Sequence, residues 1–248
     1  MGYEIYDLTR YFHNVRKEDG TLNPILGEDE LALSACLSYL LEDNNFVIKA
    51  YSGTGKTVIM EAIFALLPKE FYYALEHLSE TAVWYDSEKI NRSRFIAIPE
   101  AQKLPEAVIE VIKTWGDGRS AFRKRNTKGA AYFDAELERR CMIMHTNPTV
   151  KQTERVLKHK LLHSALPKTA LTTMSDAEID SLKKHMLNII IERDDDDALH
   201  MKNPCAPFLF EAIPSAFPVA RSKVQYLLKL INAVARFYPD EILRVDKD

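Results

Sequence analysis

Cysteine is scarce in this chain. Cys36, Cys141 and Cys205 are scattered through 248 residues with no C-x-x-C spacing. That excludes a disulfide scaffold and a cysteine-based zinc site, and leaves reduced, buried thiols as the expectation. The seven histidines do not pair with the cysteines at zinc-ligand spacing. No apolar run approaches the roughly 20 residues of a membrane span; the best, residues 58–67, is too short. The opening Met1-Gly2-Tyr3-Glu4-Ile5-Tyr6-Asp7 has no basic segment followed by an apolar core, so no secretory signal is expected. A cytoplasmic protein with no membrane partner follows as the expectation. An excess of one charge is also lacking: 33 Lys and Arg against 36 Asp and Glu leave a net charge of −3. Any contact with nucleic acid has to be local rather than global. The length suits one large domain, or one core with a small lid.

What is present is a phosphate-binding pattern. Ala50-Tyr51-Ser52-Gly53-Thr54-Gly55-Lys56-Thr57 follows the apolar run 46–48 and precedes an amphipathic stretch, 58–67. The order is strand, loop, helix. G-x-x-x-x-G-K-[ST] is met everywhere except at its first position, where Ala50 stands for glycine. Gly53 and Gly55 let the backbone curl so that successive N–H groups face phosphate oxygens. The helix adds its positive N-terminal end. Ser52, Gly53, Thr54, Gly55, Lys56 and Thr57 are therefore the expected nucleotide contacts. Lys56 reaches the β- and γ-phosphates of ATP, and Thr57 ligates Mg²⁺.

The rest of the chain reads as mixed α and β. Residues 1–29 are polar and aromatic, with a turn at Glu18-Asp19-Gly20. Asp29 is a candidate cap for a helix over 30–41. Strand one is 46–49. Residues 72–77 and 81–85 fit two short strands, or a helix and a strand. Residues 94–100 form a buried-strand pattern ending in an acid, and 105–115 a helix with Pro105 in its first turn. Residues 141–144 are another buried strand, ending in His145-Thr146-Asn147-Pro148. Residues 151–203 are polar and mostly helical, and the last helix covers 222–237. Asp194–Asp197 read as an acidic loop rather than a metal site.

Glu100 ends an apolar strand downstream of Lys56, the place for an acid that polarises an attacking water and supports Mg²⁺. Its other reading is a cap for the next helix; strand and spacing favour the first. Pro99 occupies the position where an aspartate would support the metal. Asn147, at the end of the 141–144 strand, can hydrogen-bond a γ-phosphate or its water; by itself Asn-Pro is also a turn signal. Arg119, Arg123, Lys124, Arg125 and Lys128 concentrate cations in a segment that reads as a hairpin, with 120–125 going out and 130–133 returning. Such a tip suits a phosphate backbone, though a solvated face is the plainer alternative. Arg139, Arg140, Arg155 and Arg221 are candidates to complete a nucleotide site, from a neighbour or from a lid, because the guanidinium fork bridges phosphate oxygens.

Taken in order, these segments resemble AAA+ ATPases, in particular the MCM-like clade and the primase-linked helicases of archaeal mobile elements. The residues that carry the resemblance are Gly53-Thr54-Gly55-Lys56-Thr57, the strand Phe95-Ile96-Ala97-Ile98-Pro99-Glu100, and His145-Thr146-Asn147-Pro148, which looks like the sensor-1 Asn-Pro of that clade. It covers most of residues 30–237. The resemblance implies a three-layer P-loop core with a central parallel sheet over 30–203, an N-terminal extension over 1–29 and a helical lid over 204–248. Arg221 becomes a sensor-2 candidate and residues 119–128 a DNA-tracking hairpin in the pore of a ring, expected to be a hexamer. A replicative helicase or replication-initiation ATPase is the function implied. An ATP-gated switch without unwinding, and more remotely a small-molecule kinase, are the alternatives. No primase zinc motif is present.

Overall fold

The structure, a computed structural model, describes residues 3–17, 19–40, 45–49, 54–74, 86–98, 105, 108–109, 141–165, 174–193 and 220–238. In chain order the helices are α1 (Ile5–His13), α2 (Asp29–Ser38), α3 (Lys56–Phe64), α4 (Ser87–Arg92), α5 (Val150–Ala165), α6 (Asp176–Arg193) and α7 (Ala220–Phe237). The strands are β1 (Asn45–Lys49), β2 (Tyr72–Ala74), β3 (Phe95–Ala97) and β4 (Cys141–His145). β1 lies beside β4, and β2 beside β3. The chain divides into two compact units. One comprises Met1–Glu42, Ile48–Leu66 and Met144–Asp248; the other comprises Asp43–Val47 and Leu67–Ile143.

The first unit is helical around an apolar core. Leu8, Tyr11 and Phe12 recur at three- and four-residue spacing, so α1 presents one buried stripe. The Asp7 carboxylate accepts the Glu4 N–H at 3.0 Å at its start, and Arg10 and His13 suit the negative end of its dipole. This helix is an addition to the sequence reading of residues 1–29. α1 packs on α2 and α6, and α7 packs on α2 and α6. Phe12, Leu182, Met186, Ile190 and Phe237 are fully buried where these helices meet. Each such side chain contributes about 2 kcal/mol relative to exposure. The Tyr238 hydroxyl accepts the Ile5 N–H at 2.9 Å, which ties the end of α7 to the start of α1. Arg10 bridges Asp7 and Glu178 at 3.1 and 3.2 Å.

α2 starts one residue earlier than its sequence pattern suggests, and Asp29 does not cap it. Glu28 holds the capping position, while the Asp29 carboxylate meets His13 Nε2 at 2.7 Å. Cys36 is fully buried, and burial pushes its thiol up to about 12. An inert reduced thiol is what that environment makes. α3 ends at Phe64, followed by a turn before Pro68. Its carbonyl at Ala62, one of the last four that the helix itself leaves unbonded, accepts the buried Tyr11 hydroxyl at 2.8 Å.

The second unit holds a parallel pair. Tyr72, Tyr73 and Ala74 lie opposite Phe95, Ile96 and Ala97. Parallel neighbours need a long crossover, and α4 lies within it. The Tyr73 hydroxyl donates to Asp86 at 2.5 Å, ahead of α4, and Arg94 stacks 4.6 Å from the centroid of Phe71. Residues 72–74 are thus strand, which resolves that part of the ambiguity. The Val108 and Ile109 amides bond back to the Pro105 carbonyl at 2.9 and 3.1 Å, as a helix with proline in its first turn requires. Among the described residues, no helix is long and apolar enough to cross a membrane.

Candidate functional site

β1 runs toward the phosphate-binding pattern and α3 leaves it. Gly55 stands immediately before α3 with φ 87°, a left-handed conformation that a side chain would strain. An added Cβ at Gly55 would meet open space, so backbone conformation rather than packing requires the glycine. Lys56 and Thr57 are the first two residues of α3, and Thr57 is exposed. The first Gly55–Ile59 turn is closed at 3.1 Å, and the amides ahead of Ile59 point out of the helix end.

The neighbouring strand brings its end to the same place. The Thr146 N–H, just past β4, donates to the carbonyl of Lys49, the last residue of β1, at 3.2 Å. The carboxyl ends of the two strands therefore lie side by side. Outside the carboxyl ends of strands is where open α/β sheets place their ligands. The Thr146 hydroxyl lies 3.2 Å from the Thr54 hydroxyl of the loop. Thr146 is 4 % exposed, whereas Asn147 is exposed. Alternation along β4 explains the difference: Met142 and Thr146 share the buried face, and His145 and Asn147 the other. The Asn147 side-chain oxygen accepts the Thr149 N–H at 3.1 Å, the local turn that Asn-Pro signals. Its backbone N–H donates to Glu28 at 2.7 Å. Glu28, Lys49, Thr54, Thr146, Asn147 and Thr149 all belong to the first compact unit.

Comparison of the chain with family models, with curated proteins and with solved structures returns no match.

Of the expected nucleotide contacts, Thr54, Gly55, Lys56 and Thr57 are gathered at the start of α3, with the Asn147 strand end beside them. Arg155 lies on α5, against the loop that precedes α2. Arg221 falls in the first turn of α7. Ser52, Gly53, Glu100, Arg119, Arg123, Lys124, Arg125, Lys128, Arg139 and Arg140 lie outside the described residues. Also outside them are most of the helix read over 105–115 and the acidic loop Asp194–Asp197. Among the described residues, no group of three or more His, Cys, Asp or Glu side chains is arranged to hold a metal.

Gly27 and Glu28 belong to no motif, and Thr146 sits unmarked within His145–Pro148. Thr146 could have been found from strand alternation. Glu28 and Gly27 could not, because their contacts span more than a hundred residues of chain. Gly27 has φ 68°, and a Cβ there would run into the Gln152 amide and the Arg155 guanidinium. The Gln152 side-chain amide donates to the Leu26 carbonyl. Gly27→Ala is expected to displace Gln152 and to strain the backbone, lowering stability by about 1–2 kcal/mol. Urea unfolding measures it; an unchanged midpoint would mean that this loop relaxes freely.

Proposed function

We propose that this chain is an ATP-binding and ATP-hydrolysing P-loop motor of the AAA+ kind that acts on DNA as a ring. The observation that supports it most is the left-handed Gly55 placing Lys56 and Thr57 at the head of α3, with Thr146 of the adjacent strand end touching the loop. The donor set fits ATP and Mg²⁺. Backbone amides and an ammonium suit phosphate oxygens, and an exposed threonine hydroxyl suits a hard cation. Bound Mg²⁺ would neutralise charge developing on the γ-phosphate. In this reading Lys56 holds the β- and γ-phosphates, and Glu100 polarises the attacking water and supports the metal. The Asn147 side-chain NH₂ donates to the γ-phosphate or its water. Arg221 completes the site in cis, and one of Arg139, Arg140 and Arg155 does so in trans. Replicative helicase or initiation ATPase is the specific proposal. Pro99 in place of a metal-supporting aspartate favours a second reading, an ATP-gated DNA- or protein-binding switch that does not unwind.

ATP turnover with and without DNA, together with particle size under the same conditions, tests the proposal. DNA-stimulated turnover in an assembled ring supports a motor. Turnover indifferent to DNA in a monomer removes it. Strand displacement separates the motor from the switch.

The basic segment supplies a sharper test. Replacing Arg123, Lys124 and Arg125 together with alanine should spare basal ATPase. It should weaken DNA about equally across unrelated sequences, since phosphate contacts hold no base information. The slope of log affinity against log salt should shrink by roughly 2–3 units, near 0.7–0.9 per lost contact. An unchanged slope would acquit the segment of touching DNA.

A further inference from the structure

A short polar side chain (Asp, Asn, Ser or Thr) at the position before a helix ordinarily serves that helix's first amides. Glu28 does not. It precedes α2, yet its side chain makes no capping bond there. Its Oε1 accepts the Asn147 backbone N–H at 2.7 Å, from the segment that follows β4. A charge-assisted bond of that length is about twice as strong as a neutral one. Beside it, Gln152 of α5 donates to the Leu26 carbonyl, and Gly27 leaves the room that Gln152 and Arg155 occupy. Residues 26–28 thus grip both the strand end and the first turns of α5.

The same strand end is held from its other side. The Thr146 N–H is bonded to Lys49 and its hydroxyl lies against Thr54. Thr146 and Asn147 are consecutive, so the peptide between them is fixed between Glu28 and the phosphate-binding loop. We propose that Glu28 is a positioning residue for that loop: by holding the Asn147 backbone, its carboxylate sets where the Thr146 hydroxyl meets Thr54. This rests on reading residues 50–57 as a nucleotide loop.

The groups around Glu28 make its ionisation readable. Partial burial raises its carboxyl above the usual range; the Asn147 amide pulls it down, and the neighbouring Asp29 charge pushes it up. Asp29 is paired with His13, and Arg155 lies on the α5 side. The bond to Asn147 is therefore charge-assisted above a raised midpoint and weakens as pH falls through it.

The test follows the Asn147 backbone amide of the full-length ¹⁵N-labelled protein, without nucleotide, through the acid range. Its proton should titrate with a midpoint above the ordinary carboxylate value. In Glu28→Gln, which keeps an acceptor but cannot ionise, the titration should vanish. In Glu28→Ala the Thr54 and Thr146 resonances should shift, and in Glu28→Gln they should return toward the parent. In folded Glu28→Ala, kcat for MgATP should fall about tenfold with KM within about twofold, the signature of lost alignment rather than lost binding. An Asn147 amide that does not titrate, or Thr54 and Thr146 resonances unmoved by Glu28→Ala, overturns the positioning role. A parent protein that binds no nucleotide overturns the loop reading instead, and the nucleotide-free titration tells the two failures apart.

Discussion

A Lys56→Ala protein is expected to fold normally and to lose ATP turnover altogether. The loss should begin with binding. Charge-assisted hydrogen bonds to phosphate are worth about 1.5–3 kcal/mol, so affinity should drop roughly 10- to 100-fold. Turnover should drop further, because the ammonium also meets charge that develops only as the γ-phosphate departs. The fold should be indifferent. Lys56 opens α3 rather than filling the core, and alanine is the strongest helix former. Calorimetric titration with ATP, a turnover assay and a thermal melt make the measurement. A folded Lys56→Ala protein with parental affinity and rate would end the nucleotide reading.

Glu100→Gln should act on the other half of the reaction. Glutamine keeps the size of the side chain and an acceptor oxygen but cannot take up a proton. ATP binding should survive, and hydrolysis should fall on the order of a hundredfold or more. The protein should then accumulate in an ATP-bound, assembled form, visible as a larger particle with nucleotide than without. Rapid hydrolysis by this variant would return Glu100 to the role of helix cap and move the search to another acid. The two substitutions together separate holding the nucleotide from breaking it.

Much of the loop's surroundings is legible in the sequence, because the cues there are local. An apolar run before a glycine-rich stretch and an amphipathic run after it become β1, Gly55 and α3. The 141–144 run becomes β4, one residue longer, and 222–237 becomes α7, two residues longer at its start. Helix ends drift because capping depends on which partner a side chain finds. Asp29 meets His13 rather than the amides of its own helix, which no local pattern reveals. α1 escapes notice because its buried stripe is only Leu8, Tyr11 and Phe12, and its remaining residues look like a polar, aromatic leader. At the site, the Asn-Pro signal draws attention to Asn147, while alternation along the strand turns Thr146 toward the loop. Motif reading weighs residue type, and the strand decides which residue faces inward.

The buried bond from Tyr11 to the Ala62 carbonyl gives α3 a mooring at the end away from Gly55. A helix is stiff along its axis, so a push at its first turn arrives at its last. A slide or rotation of α3 must either break this buried bond or carry α1 with it. α1 and α3 are thereby joined at the last turn of α3.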